Sequence, residues 1–271
     1  MGRLIFTFYF LLFTFCADAQ EASSLQLKQE RFIAGSFKNF FSDNLGNIFL
    51  LLPNNSIKKI NARGDSLGLF NDVRRYGDVY AVDVSNPLKL IVYYKDFSTA
   101  VILDRFMNIV NTIDLRRANI LQASAVAQSY DNNYWVYDAL ENKLKKINDG
   151  GETLLETADF RILFDETFAP SSIIDDNTQL YLYDEKYGWM IFDYYGAFKE
   201  KIPAKDFSEV QVINKKLQGY TEDSLYEINP LTFDEQSFSL QQASGAVKTE
   251  RQLNLLYALK NDGLYIYSIQ Q

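Results

Sequence analysis

The sequence contains no histidine and only one cysteine among its 271 residues. Without an imidazole base, the Ser-His-Asp and Cys-His nucleophile systems are excluded, and so are histidine-ligated zinc sites and the histidine pH switch. Acidic residues outnumber basic ones, with 35 Asp+Glu against 27 Lys+Arg and a formal net charge of −8. Because a bulk negative charge repels phosphate, we expect no nucleic-acid partner.

The first nineteen residues have the organisation of an export signal. Arg3 supplies a positive charge, and the apolar run Leu4–Phe15 that follows it contains only two threonines. Ala17 and Ala19 then place small residues at the two positions that a signal peptidase reads. We expect cleavage after Ala19. A membrane anchor is the alternative, but spanning needs about 20 apolar residues, more than this run offers.

Cleavage after Ala19 would also remove Cys16, the one cysteine. A lipoprotein signal expects a small residue just before the cysteine, and Phe15 stands there, so ordinary cleavage is the preferred interpretation. The mature chain, residues 20–271, would then have no disulfide and no thiolate for catalysis or metal binding. No later run reaches 18 apolar residues, so we expect no transmembrane segment after cleavage. We expect residues 20–271 to form one domain.

Six similar units follow one another along the mature chain. Each unit begins with a short apolar strand, which is followed by a second apolar strand, a polar turn and a strand of alternating residues. The second strands begin near Ile48, Leu90, Tyr134, Leu180, Leu217 and Leu255. Their spacings of 42, 44, 46, 37 and 38 residues are typical of four-stranded propeller blades. The first strands, such as 79–84 and 210–213, are expected to line a central channel.

The two ends of the chain complement each other. The sixth unit stops at Gln271 without a fourth strand, and residues 25–34 form a spare strand near the mature N-terminus. A strand from the N-terminus would complete the last blade and remove an open sheet edge. The predicted fold is therefore all-β, a six-bladed β-propeller closed by its N-terminal strand. An irregular β-sandwich of two domains is the alternative.

Two units resemble known propeller repeats. The third, from Tyr134-Trp135-Val136-Tyr137-Asp138 to Gly150, is similar to YWTD-type repeats, and the first, from Gly46 to Gly64, is similar to NHL-type repeats. Both families build six-bladed propellers. The second unit lacks their Asp/Gly signature. The export signal and the aromatic-rich, acidic mature chain also resemble exported propellers of the Bacteroidota. Such a resemblance implies a scaffold and does not assign an activity.

Basic residues recur in the connections between units, which a propeller brings to one face. Arginine forks suit carboxylates and phosphates, so these side chains are candidates for binding an anionic ligand or an acidic partner segment. Solvated surface charge is the plain alternative. The candidates are Arg74, Arg75, Arg116, Arg117 and Arg161.

Aromatic residues crowd the third and fourth units, where packing between blades accounts for most of them. Alternation places Tyr181 and Tyr183 on one face of their strand and the leucines beside them on the other. Tyr187, Tyr194 and Tyr195 stand in turns instead, so we expect them to be exposed and available for binding.

Oxygen-bearing residues of the channel strands are the last candidates, because some six-bladed propellers are metal-dependent lactonases. Their spacing resembles no coordination loop, and such residues commonly cap strand ends and turns, so we predict no metal, no cofactor and no catalytic residue. They are Asp43, Asp83, Asp175 and Asn214.

The resulting interpretation is an exported, non-catalytic propeller that binds or helps to assemble an envelope protein partner, in the periplasm or at the outer membrane. Rigid blades would present variable loops on two faces. The alternative is a propeller that binds a small molecule or glycan, with a calcium-dependent lactonase-like activity.

Overall fold

The computed structural model describes residues 23–176 and 178–270. The expected signal peptide and Cys16 lie outside these residues. Strands, numbered in chain order, dominate the described part, and the two α-helices are one turn long. They are α1 (Val73–Tyr76) and α2 (Phe160–Phe164), and three 3₁₀ turns lie at Lys95–Phe97, Leu115–Ala118 and Gln241–Ala243.

The strands form six blades, after an N-terminal segment that contains β1 (Ser23–Ser24) and β2 (Gln26–Ala34). Blade 1 comprises β3 (Asn39–Ser42), β4 (Ile48–Leu51), β5 (Ile57–Ile60) and β6 (Ser66–Phe70). Blade 2 comprises β7 (Ala81–Asp83), β8 (Lys89–Tyr94), β9 (Thr99–Asp104) and β10 (Ile109–Asp114). Blade 3 comprises β11 (Ala123–Gln128), β12 (Tyr134–Asp138), β13 (Lys143–Ile147) and β14 (Thr153–Glu156).

The remaining blades repeat the same order. Blade 4 comprises β15 (Ser172–Asp175), β16 (Gln179–Asp184), β17 (Gly188–Asp193) and β18 (Phe198–Ile202). Blade 5 comprises β19 (Glu209–Ile213), β20 (Lys216–Tyr220), β21 (Ser224–Ile228) and β22 (Glu235–Ser239). Blade 6 has β23 (Lys248–Gln252), β24 (Leu255–Lys260) and β25 (Gly263–Gln270), and β2 completes it.

Ring closure takes place in blade 6. Strand β2 pairs antiparallel with β25 in a register that runs from Gln26 opposite Gln270 to Ala34 opposite Gly263. Ahead of it, β1 adds a parallel fifth strand to the outer edge of blade 5. The prediction of a six-bladed propeller closed by its N-terminal strand is therefore confirmed, and the two-domain β-sandwich is excluded.

The core lies between neighbouring blades, because each blade buries both faces of its sheet. In β16, Leu180 and Leu182 pack toward blade 3, whereas Tyr181 and Tyr183 pack toward blade 5. The alternation expected for this strand is thus correct, and both sets of side chains are buried. Such two-sided burial explains why the second strands of blades 1 to 4 are largely apolar instead of alternating between polar and apolar residues.

A recurring turn joins the third and fourth strands of blades 1 to 4. Its first residue accepts hydrogen bonds from the backbone N–H groups two and four positions later, and the residue three positions later has a positive φ. Asn and Asp favour this arrangement because their short side chains reach their own backbone. The first residues are Asn61, Asp104, Asn148 and Asp193, and those with positive φ are Gly64, Met107, Gly151 and Gly196. Blade 2 therefore keeps the aspartate of the Asp/Gly signature, as Asp104, and has Met107 in place of the glycine.

Candidate functional site

The loops of the propeller lie on two faces. Since adjacent strands are antiparallel, each blade's first strand begins at the end where its fourth strand finishes. The links between blades and the turns between second and third strands therefore share one face, which we call the connection face; the remaining turns form the hairpin face. The links are residues 35–38, 71–80, 115–122, 157–171, 203–208 and 240–247.

All five candidate arginines lie in links of the connection face, and two of them form ion pairs with the aspartate two residues earlier in the chain. The guanidinium of Arg116 donates to Asp114 at 2.8 and 2.9 Å, and that of Arg161 donates to Asp159 at 2.5 Å. The same aspartates accept from the backbone N–H of these arginines and so begin a helical turn. The hydrogen bond from Arg116 lowers the pKa of Asp114. Both arginines therefore stabilise links, and their charges are compensated.

The other three candidates, Arg74, Arg75 and Arg117, are exposed. None of them forms an ion pair with a residue of the described part. Arg75 lies over the ring of Tyr76, with 5.0 Å between its guanidinium carbon and the ring centroid. Arginines without an ion-pair partner are therefore found in two adjacent links, after blades 1 and 2. Arg117 follows the capping residue Asp114 by three positions, and Ile162 follows the capping residue Asp159 by the same number in the next link.

Large apolar side chains are exposed on the same sector of the connection face. Ile162 is the most exposed of them, at 82%. We call this set the apolar strip: Phe97, Leu121, Leu140, Ile162 and Leu163. Exposed apolar side chains on neighbouring loops are typical of protein-interaction sites.

Hydrogen bonds join the loops that carry the apolar strip. The hydroxyl of Ser98, next to Phe97, donates to the carbonyl of Leu121 at 2.9 Å. The N–H of Ala139, next to Leu140, donates to the carbonyl of Gln122 at 2.8 Å. The N–H of Phe160 in turn donates to the carbonyl of Asn142 at 2.8 Å. The loops that carry the strip are therefore joined to one another from blade 2 to blade 4, and Arg117 lies in the same link as Leu121.

Tyr187 also lies on the connection face, in the turn between β16 and β17. It is half-buried and packed against neighbouring side chains instead of exposed as expected. Its ring contacts Phe168 at 4.6 Å between centroids, and the ammonium groups of Lys186 and Lys201 lie over it at 4.6 and 5.2 Å. Its hydroxyl accepts a hydrogen bond from Lys186 at 2.8 Å. Tyr187 therefore packs against neighbouring side chains, which leaves little of its ring free to contact a partner.

Tyr194 and Tyr195 lie on the hairpin face, away from the other candidates, in the recurring turn of blade 4. Tyr195 is 80% exposed, as expected. Tyr194 is instead engaged: its hydroxyl donates to Asp131 of blade 3 at 2.5 Å, and the ammonium of Lys146 lies 3.9 Å from its ring centroid. The structure thus does not bring Tyr194 and Tyr195 into one site with the arginines.

The first strands of the blades line a central channel, as predicted. The cavity has a volume of about 450 Å³. The oxygen-bearing candidates do not converge in it: Asp43 caps its own turn, and Asp175 accepts from Ser129 and Trp135 at 2.8 and 3.0 Å. Asp83 accepts from the N–H of Gln128 at 2.6 Å. Asn214 lies in a turn with φ of +52°.

Four charged residues that line the channel were not among the candidates read from the sequence, and three of them lie close together; the four are Glu185, Glu209, Lys248 and Glu250. Lys248 lies between Glu209, at 3.7 Å, and Glu250, at 4.0 Å. Glu250 also accepts hydrogen bonds from the backbone N–H and the hydroxyl of Ser42. Burial raises the pKa of both glutamates, against the opposing influence of Lys248. The spacing of 248 and 250 on one strand was a usable signal, because residues two apart share a face.

Within residues 23–176 and 178–270, no three acidic side chains are grouped so that they could hold a metal ion. The helices of this part of the chain are too short and too polar for any of them to cross a membrane.

Solved structures with similar folds include β-propellers of very different sequence. A virginiamycin B lyase from Staphylococcus aureus has a TM-score of 0.62 and 12% identity, over 91% of this chain and 99% of that one. The Pan2 WD40 domain of Neurospora crassa has a TM-score of 0.61 and 10% identity, over 92% and 98%. BamB from Moraxella catarrhalis has a TM-score of 0.56 and 11% identity, over 90% and 100%.

The six four-stranded blades, together with these similarities, define the class of the protein as a six-bladed β-propeller. No family model matches the sequence, and no curated protein matches it either. At identities of 10 to 12%, the shared property is the fold alone.

Proposed function

We propose that the protein is an exported, non-catalytic propeller that binds a protein partner in the cell envelope through its connection face. The observation that carries this proposal is the apolar strip, together with the arginines of the connection face that have no ion-pair partner in the described part of the chain. Exposed apolar side chains held on linked, rigid loops provide the centre of an interface, and arginines provide its charged border. The partner that fits is a protein segment with apolar side chains flanked by carboxylates.

The chemistry of the chain supports binding over catalysis. The chain has no histidine, so nothing supports transferring to it the activity of the lyase with a similar fold, whose inactive variant lacks a histidine. The lactonase-like alternative needs several oxygen ligands around one cation, and no three acidic side chains of the described residues are grouped in that way. The site residues that we propose for partner binding are Arg74, Arg75, Arg117, Leu121 and Ile162.

Site-specific cross-linking tests the partner surface. A photo-reactive amino acid at Ile162 should cross-link one partner in the native envelope, whereas the same group at Leu231 of the hairpin face should not. Leu231 is the matched control, because its exposed fraction is 85% against 82% for Ile162. Cross-linking from Leu231 alone, or from neither position, would contradict the proposal.

Substitutions on the strip test its energetics. We expect Leu121→Asp combined with Ile162→Asp to abolish capture of the partner, with Leu231→Asp leaving it intact, because buried apolar anchors dominate interface energy. Arg117→Glu should weaken capture mainly at low ionic strength, since exposed charges are screened by salt.

Export is a separate part of the proposal with its own test. N-terminal sequencing of the protein purified from the producing cell should begin at Gln20, and the protein should fractionate with the envelope. A blocked N-terminus carrying lipid at Cys16 would replace ordinary cleavage with the lipoprotein alternative. An intact N-terminus at Met1 would refute export by this signal.

A further inference from the structure

The central channel has the dimensions and walls of a small-molecule site. Its volume of about 450 Å³ falls within the range of pockets that hold small ligands. Apolar side chains from several blades line it, among them Phe41, Val82, Val126, Ile174 and Val212. A ligand with a hydrocarbon portion would therefore remove apolar surface from water on entering.

Acidic side chains outnumber basic ones in the lining of the channel. Its lining contains four acidic residues and one basic residue: Asp83, Glu185, Glu209, Glu250 and Lys248. That one ammonium is shared by two glutamates at distances beyond a direct hydrogen bond of about 3.2 Å. It also lies over the ring of Phe41, 4.3 Å from the centroid, which fixes it against the wall. The channel therefore retains excess negative charge.

We propose that the channel binds an organic ammonium ion, with its charged group beside Glu209 and Glu250 and its hydrocarbon portion along the apolar wall. An added cation compensates the carboxylates that Lys248 only partly neutralises, where low polarity strengthens the attraction. An anion would meet four carboxylates and an ammonium that is already shared. A bare metal ion would find Lys248 between the two glutamates. This inference concerns the channel and does not depend on the apolar strip.

Calorimetric titration of the mature chain at pH 7 tests the inference with four probes of similar length. We expect 1,6-diaminohexane to bind most tightly and hexylammonium to bind more weakly. Hexane-1,6-diol, which lacks charge, and adipate, which carries two negative charges, should not bind. We expect Glu209→Gln to weaken diamine binding at least tenfold, because it removes a carboxylate without changing shape.

Glu235→Gln is the matched control, since Glu235 is an exposed residue of the outer strand β22. It should bind the diamine as the unsubstituted chain does. Circular dichroism of each variant establishes that it is folded. Equal binding of adipate or the diol, full affinity in Glu209→Gln, absence of diamine binding, or displacement of the diamine by calcium alone would each overturn the inference. Loss of partner cross-linking at Ile162 would leave it unaffected.

Discussion

Lys146 of blade 3 is enclosed by aromatic rings and a carboxylate near the hairpin face. Its ammonium donates to Asp131 at 2.7 Å and lies 3.9 Å from the ring centroid of Tyr194 and 5.0 Å from that of Trp135. Burial alone would raise the pKa of Asp131, but hydrogen bonds from Lys146 and Tyr194 outweigh it and hold the pKa well below its usual range. This lysine therefore joins blades 3 and 4.

We expect Lys146→Met to lower the free energy of unfolding by about 2 kcal/mol, because it leaves a partly buried carboxylate without its cation and removes a cation–π contact. Urea unfolding measures this loss. Lys199→Met is the matched control: its ammonium pairs with Asp193 at 2.9 Å, but the lysine side chain is 49% exposed against 6% for Lys146, so the change should be below about 1 kcal/mol. Equal losses in the two variants would contradict a special role for Lys146.

Glu250 gives an expected pH dependence. Its pKa is raised by burial above the unfolded value, despite the nearby Lys248 and the hydrogen bonds from Ser42, and Glu209 adds to the negative charge. The folded state therefore binds this proton more tightly, so stability from this group is complete below the ordinary pKa and is lost as pH rises through the raised one. Because Gln keeps an acceptor for Ser42, Glu250→Gln should be more stable than the unsubstituted chain above that pH.

Urea midpoints of both chains at pH 5 and pH 8 provide the comparison. We expect the advantage of Glu250→Gln to shrink at the lower pH, where the carboxyl of the unsubstituted chain is protonated in a larger fraction of molecules. Parallel pH curves for the two chains would show that Glu250 does not titrate in this way.

At the scale of elements, the closure of blade 6 depends on a close approach between two strands. Gly263 has φ of +155°, and a Cβ placed there would lie 2.3 Å from the carbonyl oxygen of Ile33 in β2. We expect Gly263→Ala to cost at least about 2 kcal/mol in urea unfolding, from clash and backbone strain together. Gly245→Ala, with φ of +77° but no atom within 4 Å, should cost only about 1 kcal/mol. Similar losses would contradict the clash.

The sequence predicts the inner elements of the blades better than the outer ones. Strands such as β4, β12 and β16 are apolar and fully buried, and their starting positions agree with the structure. The fourth strands of blades 2 to 5 could not be read, because β10, β14, β18 and β22 are mostly exposed and carry little apolar signal.

The candidate site was less predictable than the fold. Glu209 and Lys248 meet only because the first strands of blades 5 and 6 are neighbours around the channel, which no local pattern encodes. Arg116 and Arg161 were correctly placed on one face, yet the aspartates two residues before them bind them. An Asp-x-Arg pattern was visible at both places, and it indicates a capped turn as readily as a ligand site.

For the whole molecule, closure by β2 is expected to control association. A chain that begins at residue 35 leaves the edge of β25 unpaired, and unpaired edges recruit further strands. We expect this variant to form dimers or larger species in light scattering after size-exclusion chromatography. The chain that begins at residue 23 retains β2 and should be monomeric. A stable monomer of the shorter chain would refute this role of β2.

The pairing of β1 with blade 5 and of β2 with blade 6 also has a mechanical consequence. One extended segment, residues 23–34, runs along the outer edges of two blades before it enters blade 1. A force that pulls the N-terminal end along this segment loads its interstrand hydrogen bonds simultaneously, in shear, instead of breaking them one after another. A propeller that is tethered at its N-terminal end would thus resist a pulling force with all the hydrogen bonds of this segment at the same time.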